Sequence, residues 1–125
     1  MKLLDTSVIV DFLRGRLDAV RLLTELTEKR EPLLSSEVTR FELLAGVRGE
    51  EEQALERFFQ AIEWIPVGEP VSCLAGDLAR KFQASHSGID TADYLIAATS
   101  LLAEADLLTI NVRHFPMIER LQPAY

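Results

Sequence analysis

One cysteine, Cys73, is all the thiol the chain carries, so no disulfide can form within it. A reducing cytoplasm is the expected setting, and Cys73 itself reads as a small apolar residue bound for the core. Histidine is almost as scarce. His86 and His114 have neither HxH nor HExxH spacing, which argues against a zinc site. There is no GxSxG, no local signature around Cys73 and no glycine-rich phosphate loop. Long apolar runs are missing too. Asp5 and Asp11 interrupt the N-terminal stretch, so it does not read as a secretion signal, and nothing approaches the roughly 18 residues that a membrane span needs. Basic residues are outnumbered, 13 Lys and Arg against 20 Asp and Glu, for a formal charge of −7. That balance argues against a broad basic nucleic-acid surface. It leaves a nuclease open, because divalent cations neutralise clustered carboxylates, and a basic partner protein could cover an acidic face.

What is present is a well-stocked core. Apolar residues make up 48% of 125 positions, which fits one globular domain spanning 1–125 and excludes disorder. Lys2 to Leu4 suits a short strand, and Thr6-Ser7 begins a helix that Gly15 stops, although Val8-Ile9-Val10 has strand character. An amphipathic helix follows over Leu17 to Lys29, with Leu17, Val20, Leu22, Leu23 and Leu26 on one face. Leu33-Leu34 reads as a second strand, and Ser35-Ser36 caps a helix from Glu37 to about Val47 with Val38, Phe41, Leu44 and Ala45 on its apolar face. After a charged helix over 50–61, Trp64 to Val67 reads as a third strand, with Pro66 marking a sheet edge or a strand end. A helix from Pro70 to about Ser85 and a polar loop lead to Thr91–Ala103, the most apolar helix, which belongs mid-domain. Leu107 to Ile110 is the fourth strand, followed by Asn111 and a polar turn. Strands alternating with helices predict parallel strands with both sheet faces covered, an α/β fold.

Most acids fall on solvated helix faces, but a few do not. Asp5 ends the first strand, where ligands bind in an open α/β sheet, and it is either a helix cap or a charge awaiting a cation. Glu42 interrupts an apolar helical stretch; it is either a surface acid paired with Arg40 or Arg48, or part of a site. Asp90 and Asp93 bracket the start of the most apolar helix as a capping box would, although Asp93 is awkward on so apolar a helix unless it faces a cavity or an ion. Asn111 follows the last strand, as a turn residue or a holder of metal-bound water. In a parallel sheet Asp5, Glu42, Asp93 and Asn111 can converge on one crevice. Clustered carboxylates repel unless a cation intervenes, and oxygen-only ligands suit Mg²⁺ or Mn²⁺.

The residues that carry this pattern resemble a known family. Leu3-Leu4-Asp5-Thr6-Ser7 and Ser35-Ser36-Glu37-Val38-Thr39-Arg40-Phe41-Glu42-Leu43-Leu44-Ala45-Gly46 are similar to the opening motifs of PIN domains of the VapC toxin type. Asp93-Tyr94-Leu95-Ile96-Ala97-Ala98 matches the family's D-x-x-I-A-A helix, and Thr109-Ile110-Asn111 with Phe115 matches its closing block. The four motifs fall in order along the whole chain. The resemblance implies a three-layer α/β/α fold with a central parallel sheet. It also implies Mg²⁺- or Mn²⁺-dependent endoribonuclease activity on RNA, a homodimer, and neutralisation by a cognate antitoxin in a toxin–antitoxin system. By motif position Asp5, Glu42 and Asp93 are the acidic triad, with Asp90 auxiliary. Where the family often carries a fourth acid, this chain has Asn111 and His114.

On this reading Asp5 and Asp93 are the metal ligands, and Glu42 binds the ion or orients the attacking water. Thr6, Ser7 and Asn111 support them, and Arg14, Arg40 and Arg113 are candidates for phosphate contacts. Two rivals stand beside it. One is a PIN-like metal-binding module that does not cut. The other is a phosphoryl-transfer domain using the strand-end Asp; Ser7 stands where such a phosphatase wants a second Asp, and no lysine follows a late strand as a receiver domain requires.

Overall fold

Leu3 and Leu4 sit side by side on the first strand and point to opposite faces of the sheet, each into a different core. In the computed structural model, which describes all 125 residues, Lys2–Leu4 forms β1 at the centre of a four-stranded sheet. Its neighbours are β2 (Leu33–Ser36) and β4 (Asp106–Leu108), with β3 (Glu63–Ile65) outside β2. Every pairing is parallel, with Leu3 opposite Leu34 and Leu107. The alternation repeats across the sheet. Leu3, Leu34 and Leu107 enter one core, while Leu4, Leu33 and Leu108 enter or line the other.

The helices divide accordingly. α1 (Thr6–Leu13), α2 (Leu17–Glu28) and α4 (Glu52–Ala61) bring Val8, Ile9, Leu23, Leu55 and Phe58 against Leu4. α5 (Glu69–Phe82) and α6 (Thr91–Ala103) bring Val71, Ala75, Ile96 and Ala97 against Leu3, where Phe115 and Met117 complete the packing. α3 (Glu37–Gly46) follows β2 directly and contributes Leu43 to the α1-side core. The expected three-layer α/β/α arrangement is present. α6 buries seven of its thirteen residues, as expected of a helix apolar on nearly every side. No helix is long and apolar enough to cross a membrane.

Several local expectations are corrected. β4 ends at Leu108, so Thr109 to Asn111 leave the ladder rather than extend it. β3 stops at Ile65, before Pro66, and it is an edge strand. α5 stops at Phe82, and a short 3₁₀ turn over Gly49–Glu51 precedes α4. Cys73 is exposed rather than buried, because α5 turns Val71 and Ala75 inward on either side of it. Leu17 also faces solvent, since α2 buries Ala19 and Leu23 instead.

The face assigned to α3 is the largest correction. Phe41 and Leu44 are 68% and 52% exposed, and Ala45 is exposed too. The stripe turned inward is Thr39 and Leu43, with Glu42 half-buried beside them. Both stripes have helical spacing. The inner one is chosen because Leu43 packs with Val8 and Ile9 while Thr39 and Glu42 meet Thr6.

Candidate active site

Each strand of the parallel sheet ends on the same side, and the polar residues concentrate there. Asp5 follows β1 and is 4% exposed. Its amide joins Leu108 of β4 at 2.9 Å, which fixes the backbone across the sheet. Asp5 occupies the N-cap position of α1, yet its carboxylate caps nothing. Oδ2 instead accepts Ser7 Oγ at 2.8 Å and Thr109 Oγ1 at 2.7 Å. Oδ1 has no protein partner and still reaches solvent. The helix-cap alternative for this carboxylate is therefore set aside by its hydrogen bonds, and Thr6 and Ser7 do not cap the helix in its place.

Ser36 ends β2 and starts α3; its fully buried hydroxyl accepts the Val38 amide at 3.1 Å, as a serine N-cap should. That cap fixes where α3 begins, and the packing of Leu43 with the bond from Thr6 turns Glu42 toward the site. Thr6 Oγ1 donates to Glu42 Oε1 at 2.7 Å and lies 3.1 Å from Thr39 Oγ1. The surface pairing open to Glu42 does not form. Arg40 is held by Glu37 and stacks over Phe59 and Trp64, and the amide of Arg48 is taken by Glu51. Burial raises the Glu42 carboxyl above its ordinary value; the Thr6 bond opposes this, and the charges of Asp5 and Asp90 add to it.

Asp90 and Asp93 form the capping box read from their spacing. Asp93 N donates to Asp90 Oδ1 at 2.9 Å, and Asp90 N donates to Asp93 Oδ2 at 3.1 Å. Asp93 is also buried, unlike Asp90, which is exposed. Desolvation pushes the Asp93 carboxyl up to about 6; the backbone bond from Asp90 opposes the rise, Asp90 and Asp5 reinforce it, and His114 counters it. His114 Nδ1 lies 3.4 Å from Asp93 Oδ2, so the chain places an imidazole against that acid. Asn111 is exposed, and its side chain makes no hydrogen bond; its amide donates to Thr109 Oγ1 at 3.0 Å. Of the arginines, Arg113 is exposed, Arg14 lies 3.8 Å from Glu51, and Arg40 is already engaged. A cleft of about 90 Å³ opens beside Glu42, with Val10, Leu13 and Leu43 in its wall and Arg14 at its rim.

Asp5 thus lies within electrostatic reach of both Glu42 and Asp93, and it disfavours ionisation of each. No three acidic, histidine or cysteine side chains stand close enough to enclose one ion as placed. The donor set is nevertheless oxygen-rich, held by hydroxyls, and short of positive charge. That chemistry fits a hard divalent cation better than zinc or copper. Thr109 was the residue missed by sequence reasoning. It is fully buried and bonds Asp5 directly, and its signals were its place in the closing motif and a hydroxyl where an apolar strand ends.

A buried acid at the crest of a parallel sheet, with further acids from the two helices beside it, marks an α/β protein built around a carboxylate site. The chain belongs to the PIN-domain family, whose model, described as "PIN domain", matches residues 2–119. Over all 125 residues it is 55% identical to Ribonuclease VapC19 of Mycobacterium tuberculosis, covering 100% of both chains. Within the family it is of the VapC type. It is 38% identical to Ribonuclease VapC10 of the same organism, covering 100% of this chain and 93% of that one. Among solved structures, FitAcB from Neisseria gonorrhoeae shares 30% identity and a TM-score of 0.73, with 92% and 91% of the two chains covered. A toxin–antitoxin complex from Klebsiella pneumoniae shares the fold at a TM-score of 0.82 and 23% identity, over 100% and 98% of the chains.

Proposed function

We propose that the protein is a Mg²⁺- or Mn²⁺-dependent endoribonuclease, the toxin of a VapBC-type pair, acting in the cytoplasm. The observation that carries the reading is the Asp5 carboxylate. It is buried, gripped on Oδ2 by two hydroxyls, and its charge helps two nearby acids, Glu42 and Asp93, retain their protons. A divalent cation between these groups would relieve their repulsion. Names borne by the relatives support the substrate and the partner: ribonucleases of the VapC type, and structures of VapBC complexes such as that from Rickettsia felis.

Asp5 and Asp93 would hold the ion, and Glu42 would hold it or orient the attacking water. When bound, the ion lowers the pKa of water and offsets charge on the phosphodiester under attack. The protein supplies the rest. Thr109 and Ser7 aim Asp5, Thr6 aims Glu42, and the Asp90 amide aims Asp93. Arg113, which is exposed, and Arg14, at the rim of the cleft beside Glu42, are the candidates to meet phosphates. The apolar groove between α1, α2 and α4, lined by Phe12, Leu23, Phe58 and Ile62 among others, is a surface suited to an antitoxin. The exposed Phe41 and Leu44 on α3 are suited to a second copy of the chain.

The test is cleavage of a structured RNA with Mg²⁺ or Mn²⁺, and again in EDTA, by the wild type, Asp5→Asn and Asp93→Asn. Loss of more than about 100-fold is expected in each variant, beyond what removal of an outer supporting group costs. Full activity in either folded variant refutes the assignment. Metal binding by the wild type with no cleavage of any RNA would leave the non-cutting module.

A further inference from the structure

The closing segment Leu121–Tyr125 forms neither helix nor strand, yet it is tied at two points. Ala124 N donates to Thr109 O at 2.9 Å. Tyr125 Oη donates to Asp11 Oδ2 on α1 at 2.5 Å. Arg16 lies over the Tyr125 ring at 5.5 Å and within 3.9 Å of the same Asp11 oxygen. Ala124 and Tyr125 also pack against the α1-side core. Burial and the adjacent Asp11 carboxylate raise the Tyr125 hydroxyl's pKa, so it stays a donor.

What these ties straddle gives them meaning. β4 is an edge strand, and beyond Leu108 its chain leaves the ladder, so the outer carbonyl of Thr109 takes its hydrogen bond from the tail. The side chain of that same residue donates to Asp5 Oδ2 at 2.7 Å. Thr109 is held from outside by Ala124 and from inside holds the strand-end acid. The other end of the tail is anchored on the helix that begins at Asp5. The connections close a ring: Asp5 through α1 to Asp11, across to Tyr125 and Ala124, and back through Thr109 to Asp5.

We propose that Asp11 and Tyr125 are positioning residues that latch the tail over Thr109, and so hold the Asp5 carboxylate in the orientation that binds a divalent cation. The proposal rests on the assignment of Asp5 as a metal ligand. Groups that orient ligating carboxylates tune metal affinity by holding the ligand's geometry. The latch stands one layer behind Thr109, so its loss weakens cation binding without abolishing it.

The experiment uses the full chain and Mn²⁺ as the probe, with affinity read by paramagnetic resonance of free Mn²⁺. Cleavage of structured RNA is followed against Mn²⁺ concentration, and thermal unfolding is followed in EDTA. Tyr125→Phe keeps the ring and its contact with Arg16 but deletes the hydroxyl. It is expected to raise both the Mn²⁺ dissociation constant and the half-saturating Mn²⁺ concentration about 3- to 10-fold, with the rate at saturating Mn²⁺ changed less than about twofold. Asp11→Ala should behave likewise. Asp11→Asn, which retains an oxygen to accept the tyrosine hydroxyl, should restore most of the affinity. If Tyr125→Phe and Asp11→Ala bind Mn²⁺ as the wild type does while Asp5→Asn does not, the latch is refuted and Asp5 remains a ligand. If Asp5→Asn also binds normally, the assignment of Asp5 falls and takes the latch with it. A lower melting temperature with unchanged Mn²⁺ affinity shows a merely structural tail and overturns the proposal.

Discussion

Replacing Asp93 by Asn should make the metal-free protein more stable at neutral pH while destroying its activity. The native carboxyl titrates near 6 against an ordinary 3.8, so between those values the folded chain binds more protons than the unfolded one. Stability from this group therefore falls as pH rises through that window and stays low above it. A shift of about two units corresponds to about 3 kcal/mol at pH 7, most of which is gone at pH 4. The side chain is only 12% exposed, so solvent screening trims the cost modestly. Asn keeps an oxygen for the Asp90 amide but loses the attraction of His114, which leaves an expected gain of about 1–3 kcal/mol at pH 7. Urea unfolding in EDTA at pH 7 and pH 4, wild type against Asp93→Asn, measures this difference as a shift of the midpoint concentration. With Mg²⁺ at 100 times its dissociation constant, the wild type should recover about 2.7 kcal/mol and the variant little. A gain equal at the two pH values, or no gain at pH 7, would refute the account of Asp93 as an acid held under desolvation strain.

Ser36→Ala removes the hydroxyl that caps α3, and should cost about 1 kcal/mol in urea unfolding and reduce cleavage through the displaced Glu42; unchanged stability would show the cap to be idle. Tyr94 carries the one buried side-chain polar atom without a partner, so Tyr94→Phe should be neutral or stabilising by up to about 2 kcal/mol in thermal unfolding. A clear loss of stability there would reveal a partner for the hydroxyl. Phe41→Glu with Leu44→Glu should leave the melting temperature within about 2 °C, since both side chains face solvent, and should shift the mass measured by light scattering from two copies to one. An unchanged mass, or a wild type that measures as one copy, would refute α3 as a self-association surface.

The sequence by itself determined the layers and the strand-end location of Asp5. Short apolar strands alternating with helices leave a parallel sheet covered on both faces as the economical arrangement, because a strand with apolar residues on both sides must be buried on both. The capping box of Asp90 and Asp93 and the serine start of α3 were legible for a local reason: each is written within four residues. Only the tertiary structure decided which stripe of α3 turns inward. Two helical stripes compete there, and the choice falls to Leu43 meeting Val8 and Glu42 meeting Thr6, residues more than thirty positions earlier. The same holds for Thr109, whose bond to Asp5 spans 104 positions, and for Tyr125, whose partner Asp11 is 114 away. Periodicity and caps encode what a segment does with its own neighbours. Which hydroxyl aims a carboxylate depends on packing between distant segments, and no local pattern records that.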